Sequence, residues 1–317
     1  MATSGSADFA LTRDGIIRGA IRIVKGSGGQ MPGSASSGQE EFSNAAQASN
    51  MLLKAWQGIG IGLWLNKEVS VPFAYRDGEY SLGTSGDHAS ETLYVTEVAT
   101  AQTSGNSTLV LDSTSGVSDA DAIGVELDDG TMQWNTINGS PSSLTVTLTT
   151  ALTDDVAVNN EVMTYTTKSG RPVSITEARL VNDAGTETPL QILDRQEWMN
   201  IPSKDNNGTP SMVYYDHQLD SGILHVWPRP NLVSNYIKLT ARMPIQDFDN
   251  STDAPDFPQE VYRAAKWNLA LEIAPEYTGI DPQRFAHLEK MANKTFKQMA
   301  DFDFEAGSIQ FEVDYDD

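Results

Sequence analysis

Residues 257–277 read FPQEVYRAAKWNLALEIAPEY, and the way this stretch is buried decides the fold. Pro258 suits the first position of a helix, and Glu260 places negative charge in the first turn, where the helix dipole favours it. Pro275 ends the run. Between them Val261, Tyr262, Ala264, Ala265, Trp267, Leu269, Ala270, Leu271, Ile273 and Ala274 cover most of the circumference. A surface helix is apolar along one stripe, so a helix apolar nearly all round is enclosed on several sides. Either the rest of the chain or another copy must do the enclosing.

Further helices flank this one in both directions. Asp281-Pro282 forms a cap followed by proline in the first turn, and Phe285, Leu288, Ala292, Thr295, Phe296 and Met299 make one stripe after it. Near the start, Thr12 opens a helix with Ile16, Ile17, Ala20, Ile23 and Val24 on one side. The Gly/Ser run KGSGGQMPGSASSGQ (25–39) breaks it at Gly26. A second helix is predicted from about Gln39, with Phe42, Ala45, Ser49, Leu52, Leu53 and Trp56 at helical spacing. GIGIGLWLNKE (58–68) stops it and continues into an extended run.

The middle of the chain has a different character. From Thr92 to Lys168 it is rich in Thr, Ser and Val, with short alternating runs such as STLVLDS (107–113) and SLTVTLTTAL (143–152) separated by turn residues. That is the pattern of a small all-β sandwich or barrel. Residues 171–248 predict four or five further strands and a short helix at DRQEWMNI (194–201), and DFDNSTDAPD (247–256) reads as an acidic linker. The fold class is therefore α+β. A helical core, made of an N-terminal hairpin and two C-terminal helices, accompanies a β-rich module and an inserted all-β domain. The expected segments are 8–91 (hairpin and first strands), 92–168 (inserted domain), 169–248 (β-rich module), 249–301 (C-terminal helices) and 302–317. In this last, acidic and aromatic segment, Ile309, Phe311, Val313 and Tyr315 alternate with polar residues at strand spacing, which suits a docking tail.

Composition narrows the function classes. The 317 residues carry 43 Asp and Glu against 21 Lys and Arg, a net charge of −22. A protein that wraps DNA or RNA neutralises phosphates with a basic surface, so tight wrapping of nucleic acid is not expected, whereas an acidic wall that DNA slides past is compatible with this charge. No run of eighteen apolar residues is present, and the start has no basic-then-apolar leader pattern, so neither a membrane span nor that route of secretion is expected. The absence of cysteine removes disulfides and thiolate metal sites.

Motifs for chemistry are scarce. His88, His217, His225 and His287 stand at no metal-ligand spacing. GSGGQ (26–30) lacks the lysine of a phosphate loop and follows a helix instead of a strand. The carboxylate pairs Asp119/Asp121, Asp128/Asp129 and Asp154/Asp155 sit in turn-like contexts, where Asp commonly bonds the backbone. No catalytic, cofactor-binding or metal-binding residue is expected. The tryptophans Trp56, Trp64, Trp198, Trp227 and Trp267 exceed what a small helical core needs, and aromatics are common anchors of protein interfaces.

TRDGIIRGAIRIV (12–24), the Gly-rich loop, AQASNMLLKAWQGIGIGLWLNKE (46–68), PDFPQEVYRAAKWNLALEIAPEY (255–277) and KMANKTFKQM (290–299) together resemble the head-to-tail adaptor proteins of short-tailed bacteriophages. These are also called head-completion or packaged-DNA stabilisation proteins. The resemblance covers about residues 10–80 and 170–300. It implies a structural, non-enzymatic virion protein: a ring, usually of twelve copies, joining the portal to the tail nozzle or tube. Such a ring assembles in the host cytoplasm, sits at the capsid–tail junction, seals packaged double-stranded DNA and lets it pass during ejection. It implies no cofactor and no membrane. The expected interface residues are Tyr262, Trp267, Leu271 and Ile273 in the helix and Phe302, Phe304, Ile309, Phe311, Val313 and Tyr315 in the tail. Two rival readings remain. One is a carbohydrate-binding or hydrolytic tail-associated β protein whose β domain holds Trp134 and acidic residues for sugar contact. The other is a monomeric β-rich scaffold of 34.4 kDa.

Overall fold

In the computed structural model, which describes residues 9–26 and 36–302, Thr12 caps the first helix, α1 (Arg13–Lys25), by accepting the Gly15 amide at 3.3 Å. Gly26 ends it at φ 79°, donating its amide to the Arg22 carbonyl at 2.9 Å. The second helix, α2 (Ser36–Gly58), leads through a 3-10 turn (Leu63–Leu65) into the strands. The chain then makes β1 (Asn66–Pro72), β2 (Glu79–Leu82), β3 (Tyr94–Thr100), β4 (Thr108–Leu111), β5 (Ala122–Glu126), β6 (Met132–Thr136), β7 (Thr145–Thr147) and β8 (Glu161–Tyr165). Next come β9 (Ser174–Val181), β10 (Glu187–Pro189), β11 (Gln191–Ile192), the short helix α3 (Arg195–Met199), β12 (Asn207–Gly208), β13 (Met212–Asp216), β14 (Gly222–Trp227), β15 (Arg229–Pro230) and β16 (Tyr236–Arg242). The chain closes with α4 (Tyr262–Ile273) and α5 (Pro282–Phe302). The architecture is α+β and mostly β, with the four long helices drawn from the two ends.

Two units result, dividing between Leu65 and Asn66 and again between Pro244 and Ile245. The first contains α1, α2, α4 and α5. Here α4 packs against each of the other three, and this answers the question of what encloses it. Ala264, Ala265, Leu269, Ala270 and Ile273 are buried in a core with Ile17, Ile21, Leu53, Trp56, Leu288 and Met299, and Tyr262 and Leu271 lie half-buried against it. Close approach is enforced at Gly19, where a Cβ would meet the Lys266 stem at 2.8 Å. Asn268 ties two helices together, donating to the Ala264 carbonyl at 2.9 Å and the Ala292 carbonyl at 3.3 Å.

Polar side chains of α2 fix the segment that leads into α4. The Asn50 amide donates to the Phe248 carbonyl at 3.3 Å and accepts the Phe248 amide at 3.0 Å. Lys54 donates to the Ile245 carbonyl at 2.6 Å, and the Gln57 side-chain oxygen accepts the Ile245 amide at 3.1 Å. At the far end of α1, Arg284 of α5 donates to the Ile23 carbonyl at 2.6 Å, satisfying an acceptor that the helix terminus leaves open.

The second unit holds two four-stranded sheets, ordered β1-β16-β9-β10 and β11-β13-β14-β2, a small parallel pair of β12 with β15, and a six-stranded sheet ordered β6-β5-β8-β3-β4-β7. Along β16 burial alternates, with Ile237, Leu239 and Ala241 inward, and β13 and β14 do the same. The inward faces of both four-stranded sheets share one core, including Val69, Val71, Leu82, Val213, Leu224 and Val226. Strands β3 to β8 pair only with one another and enclose a separate core around Val98, Leu111, Ile123 and Val162. Every residue of β8 is buried.

Sequence spacing predicts four or five strands in 171–248, and the structure has eight. The surplus consists of two- and three-residue strands. The run TPLQI splits at Leu190, whose amide bonds Ala178 of one sheet at 2.9 Å while the Gln191 amide bonds Ser211 of the other at 3.0 Å. A chain that changes sheets within two residues leaves no alternating stretch to read.

Because α4 is buried by its own chain, truncating Leu269 to Ala should lower unfolding free energy by about 2–5 kcal/mol, as for other buried leucines. Chemical denaturation with α-helical circular dichroism as readout checks this, and Leu271→Ala, at a half-buried position, should cost less.

Candidate functional site

The residues expected to meet a neighbour fall into three groups. Ile273 is 1% exposed and belongs wholly to its own core, so it offers no surface, which corrects the expectation for that residue. Its side chain is enclosed because α1, α2 and α5 close around α4. Tyr262, Trp267 and Leu271 keep part of their surface. Tyr262 packs edge-on against Phe9 and Phe257, with ring centroids 6.1 and 5.6 Å apart, and Trp267 meets His287 edge-on at 6.4 Å. Phe302, 54% exposed, lines a shallow cavity of about 330 Å³ with Val261, Arg263, Ala264, Thr295 and Met299. Phe304, Ile309, Phe311, Val313 and Tyr315 lie outside the described residues.

The aspartates of the turn-like motifs bond backbone. Asp119 accepts the Gly139 amide at 2.6 Å and Asp121 the Ser118 amide at 2.7 Å. Asp128 accepts from Ala157 at 2.8 Å, Asp129 from Thr131 at 2.8 Å and Asp155 from Ser104 at 2.8 Å. Among the described residues no group of three or more His, Asp and Glu is placed to hold a metal ion.

Two of the histidines sit in aromatic clusters. His88 stacks on Trp134 with centroids 3.7 Å apart and planes within 4°, and its Nδ1 lies 2.7 Å from the Tyr165 hydroxyl. Burial, helped by Lys168, lowers the His88 pKa to about 4, and burial raises Tyr165 to about 12. Trp134 also lies across Gly124 of the neighbouring strand, where a Cβ would meet its ring at 3.0 Å. A sugar platform needs a free ring face, and here His88 covers one face of Trp134. In the second cluster His225 stacks on Tyr214, its direct cross-strand neighbour, at 5.5 Å, and Trp198 of α3 packs against both. Burial lowers the His225 pKa, and Glu79 at 3.3 Å acts in the opposite direction.

A third cluster is ionic and was not legible in the sequence. Glu161 of β8 is 6% exposed and stands directly opposite Glu97 of β3. Its amide donates to the Glu126 carboxylate at 3.1 Å. Burial first, then Glu97, Glu126 and Asp183, raises its pKa to about 7. These four carboxylates come from separate strands and a turn, and only the β3–β8 register brings Glu97 and Glu161 together. The pairing is non-local, so no spacing along the chain announces it.

No family model and no curated protein matches this chain. Among the described residues no helix is long and apolar enough to cross a membrane.

The folded state holds the Glu161 proton more tightly than the unfolded chain does. Its contribution to stability is therefore full below the ordinary value of 4.5 and is lost as pH rises through about 7. His88 works the other way over an overlapping range, since the folded state resists its protonation. Comparison with Glu161→Gln isolates the carboxylate. The melting temperature of the variant, relative to the parent, should rise between pH 4.5 and pH 7 and level off above, as followed by thermal melts in a pH series.

Proposed function

We propose that this protein is a structural adaptor that forms a ring at the capsid–tail junction of a short-tailed bacteriophage and performs no covalent reaction. The observation that carries this reading is the composition of the helical unit. Of the segments whose sequence resembles those adaptors, 12–24, 255–277, 290–299 and all but the last three residues of 46–68 come from opposite ends of the chain and fold into one unit. A ring wall of such units uses head-to-tail contacts, so each copy offers two different faces. The six-stranded sheet of 94–165 is, on this reading, a small β module inserted between strands of the host sheets.

Charge fits the same role. Between Thr92 and Thr167 there is no lysine or arginine, and the whole chain carries −22. A ring of such chains presents DNA with a surface of like sign, past which the duplex moves without adhering. The ring would contact portal protein on one side and the tail nozzle or tube on the other. Its place would be the virion, with assembly in the host cytoplasm.

Mixing the purified chain with portal particles and imaging the product by electron microscopy tests this. A ring of copies stacked on the portal is expected. A chain that stays at 34.4 kDa beside unoccupied portals overturns the reading.

A further inference from the structure

Two basic faces interrupt this acidic chain within the helical unit: exposed Arg18 and Arg22 on α1, and a row of lysines on the outward face of α5. Lys290, Lys294 and Lys297 follow at intervals of four and three residues, which places them in one row on the helix surface. The buried row of the same helix is Leu288, Ala292, Thr295 and Met299, so the lysines point away from the core. All three are exposed, and among the described residues none forms an ion pair or hydrogen bond. His287 extends the row towards the N-terminus, and its ring meets Trp267, a half-exposed aromatic at the edge of the same surface. Asp301 ends the row one turn beyond Lys297. The helix dipole does not account for these lysines, because its effect is confined to the last turn and no basic residue lies there.

The same unit carries a surface of opposite sign. The segment 247–256 surrounds a concavity of about 340 Å³ lined by Asp247, Asp249, Asp253 and Asp256. Two of these are committed within the chain. Asp247 pairs with Lys54 at 2.9 Å, and Asp253 accepts the amides of Asp249 and Asn250 at 2.9 and 2.7 Å. Asp249 and Asp256 are exposed, and among the described residues their carboxylates have no cationic partner. The segment is pinned to α2 through Asn50 and to the start of α1, where Arg13 donates its amide to the Asp253 carbonyl at 3.0 Å. It is therefore a held surface, and no ion pair within one copy joins it to the lysine row.

We propose that the lysine face of α5 docks on the acidic 247–256 surface of a second copy, with Trp267 at the margin of the contact as its aromatic anchor. The proposal rests on the ring reading above and names one of its interfaces. Two unlike faces on one unit give a heterologous contact, the kind that propagates around a ring. Opposite signs set register and orientation, and the aromatic supplies area removed from water.

Charge reversal tests this in the full chain. Lys290→Glu/Lys294→Glu/Lys297→Glu makes both faces acidic, and Asp249→Lys/Asp256→Lys makes both basic. Each variant alone should lose self-association by sedimentation velocity, and an equimolar mixture should recover it, because alternating copies again match. These sites are exposed, so circular dichroism should match the parent. Carbodiimide cross-linking of isotope-mixed parent chains should join the α5 lysines to Asp249 or Asp256 between copies. Parent and variants that assemble equally overturn the proposed contact and leave the ring intact. A parent chain that never assembles, alone or on portal, overturns the ring and this contact with it. If the lysine variant instead loses salt-sensitive binding to a duplex DNA probe that the parent binds, the face serves DNA and the copy-to-copy contact is wrong.

Discussion

A twelve-residue helix that is apolar on most of its surface cannot stand in water, and the helical unit is built around that constraint. α4 has to be covered on three sides, and the covering helices come from both ends of the chain. Burial of its Ala and Leu side chains supplies the cohesion. The small residues Ala264, Ala265 and Ala270, with Gly19 opposite Lys266, bring the backbones close. Polar groups then fix the register: Asn268 ties α4 to α5, and Asn50, Lys54 and Gln57 hold the incoming segment. A buried polar group left without a partner would cost more than any of these bonds contributes, so their completeness matters as much as their number.

Much of this was legible along the sequence. Helices α1, α2, α4 and α5 follow from apolar spacing, with Thr12 and Gly26 bounding α1 and Pro258 and Pro275 bracketing α4. The buried row of α5, Leu288, Ala292, Thr295 and Met299, follows from the same period. What encloses α4 was not legible, because periodicity reports how much of a helix is buried and not by what. The tertiary answer assigns Ile273 to its own core and leaves surface on Tyr262, Trp267 and Leu271.

The β portion divides in the same way. Alternation in β13, β14 and β16 announces half-buried strands, and burial follows it residue by residue. The pairs that carry electrostatic meaning depend on which strands become neighbours. His88 reaches Tyr165 across 77 residues of sequence, and Glu161 meets Glu97 only through the β3–β8 register. Such long-range partners leave no local trace. Of the turn aspartates, Asp121 and Asp129 were readable because each bonds a backbone amide two or three residues away, a local device, whereas Asp119, Asp128 and Asp155 reach amides 20, 29 and 51 residues away and left no local trace.

Joining the two ends of the chain in one unit also sets an order of events during synthesis. α1 and α2 leave the ribosome first, yet the helix that buries their apolar faces emerges only after residues 66–244. The strands of the second unit have all their partners by then, so that unit can close while the first two helices still wait. Ile17, Ile21, Leu53 and Trp56 must remain uncovered throughout that interval, the period in which a nascent chain most needs a chaperone's shelter.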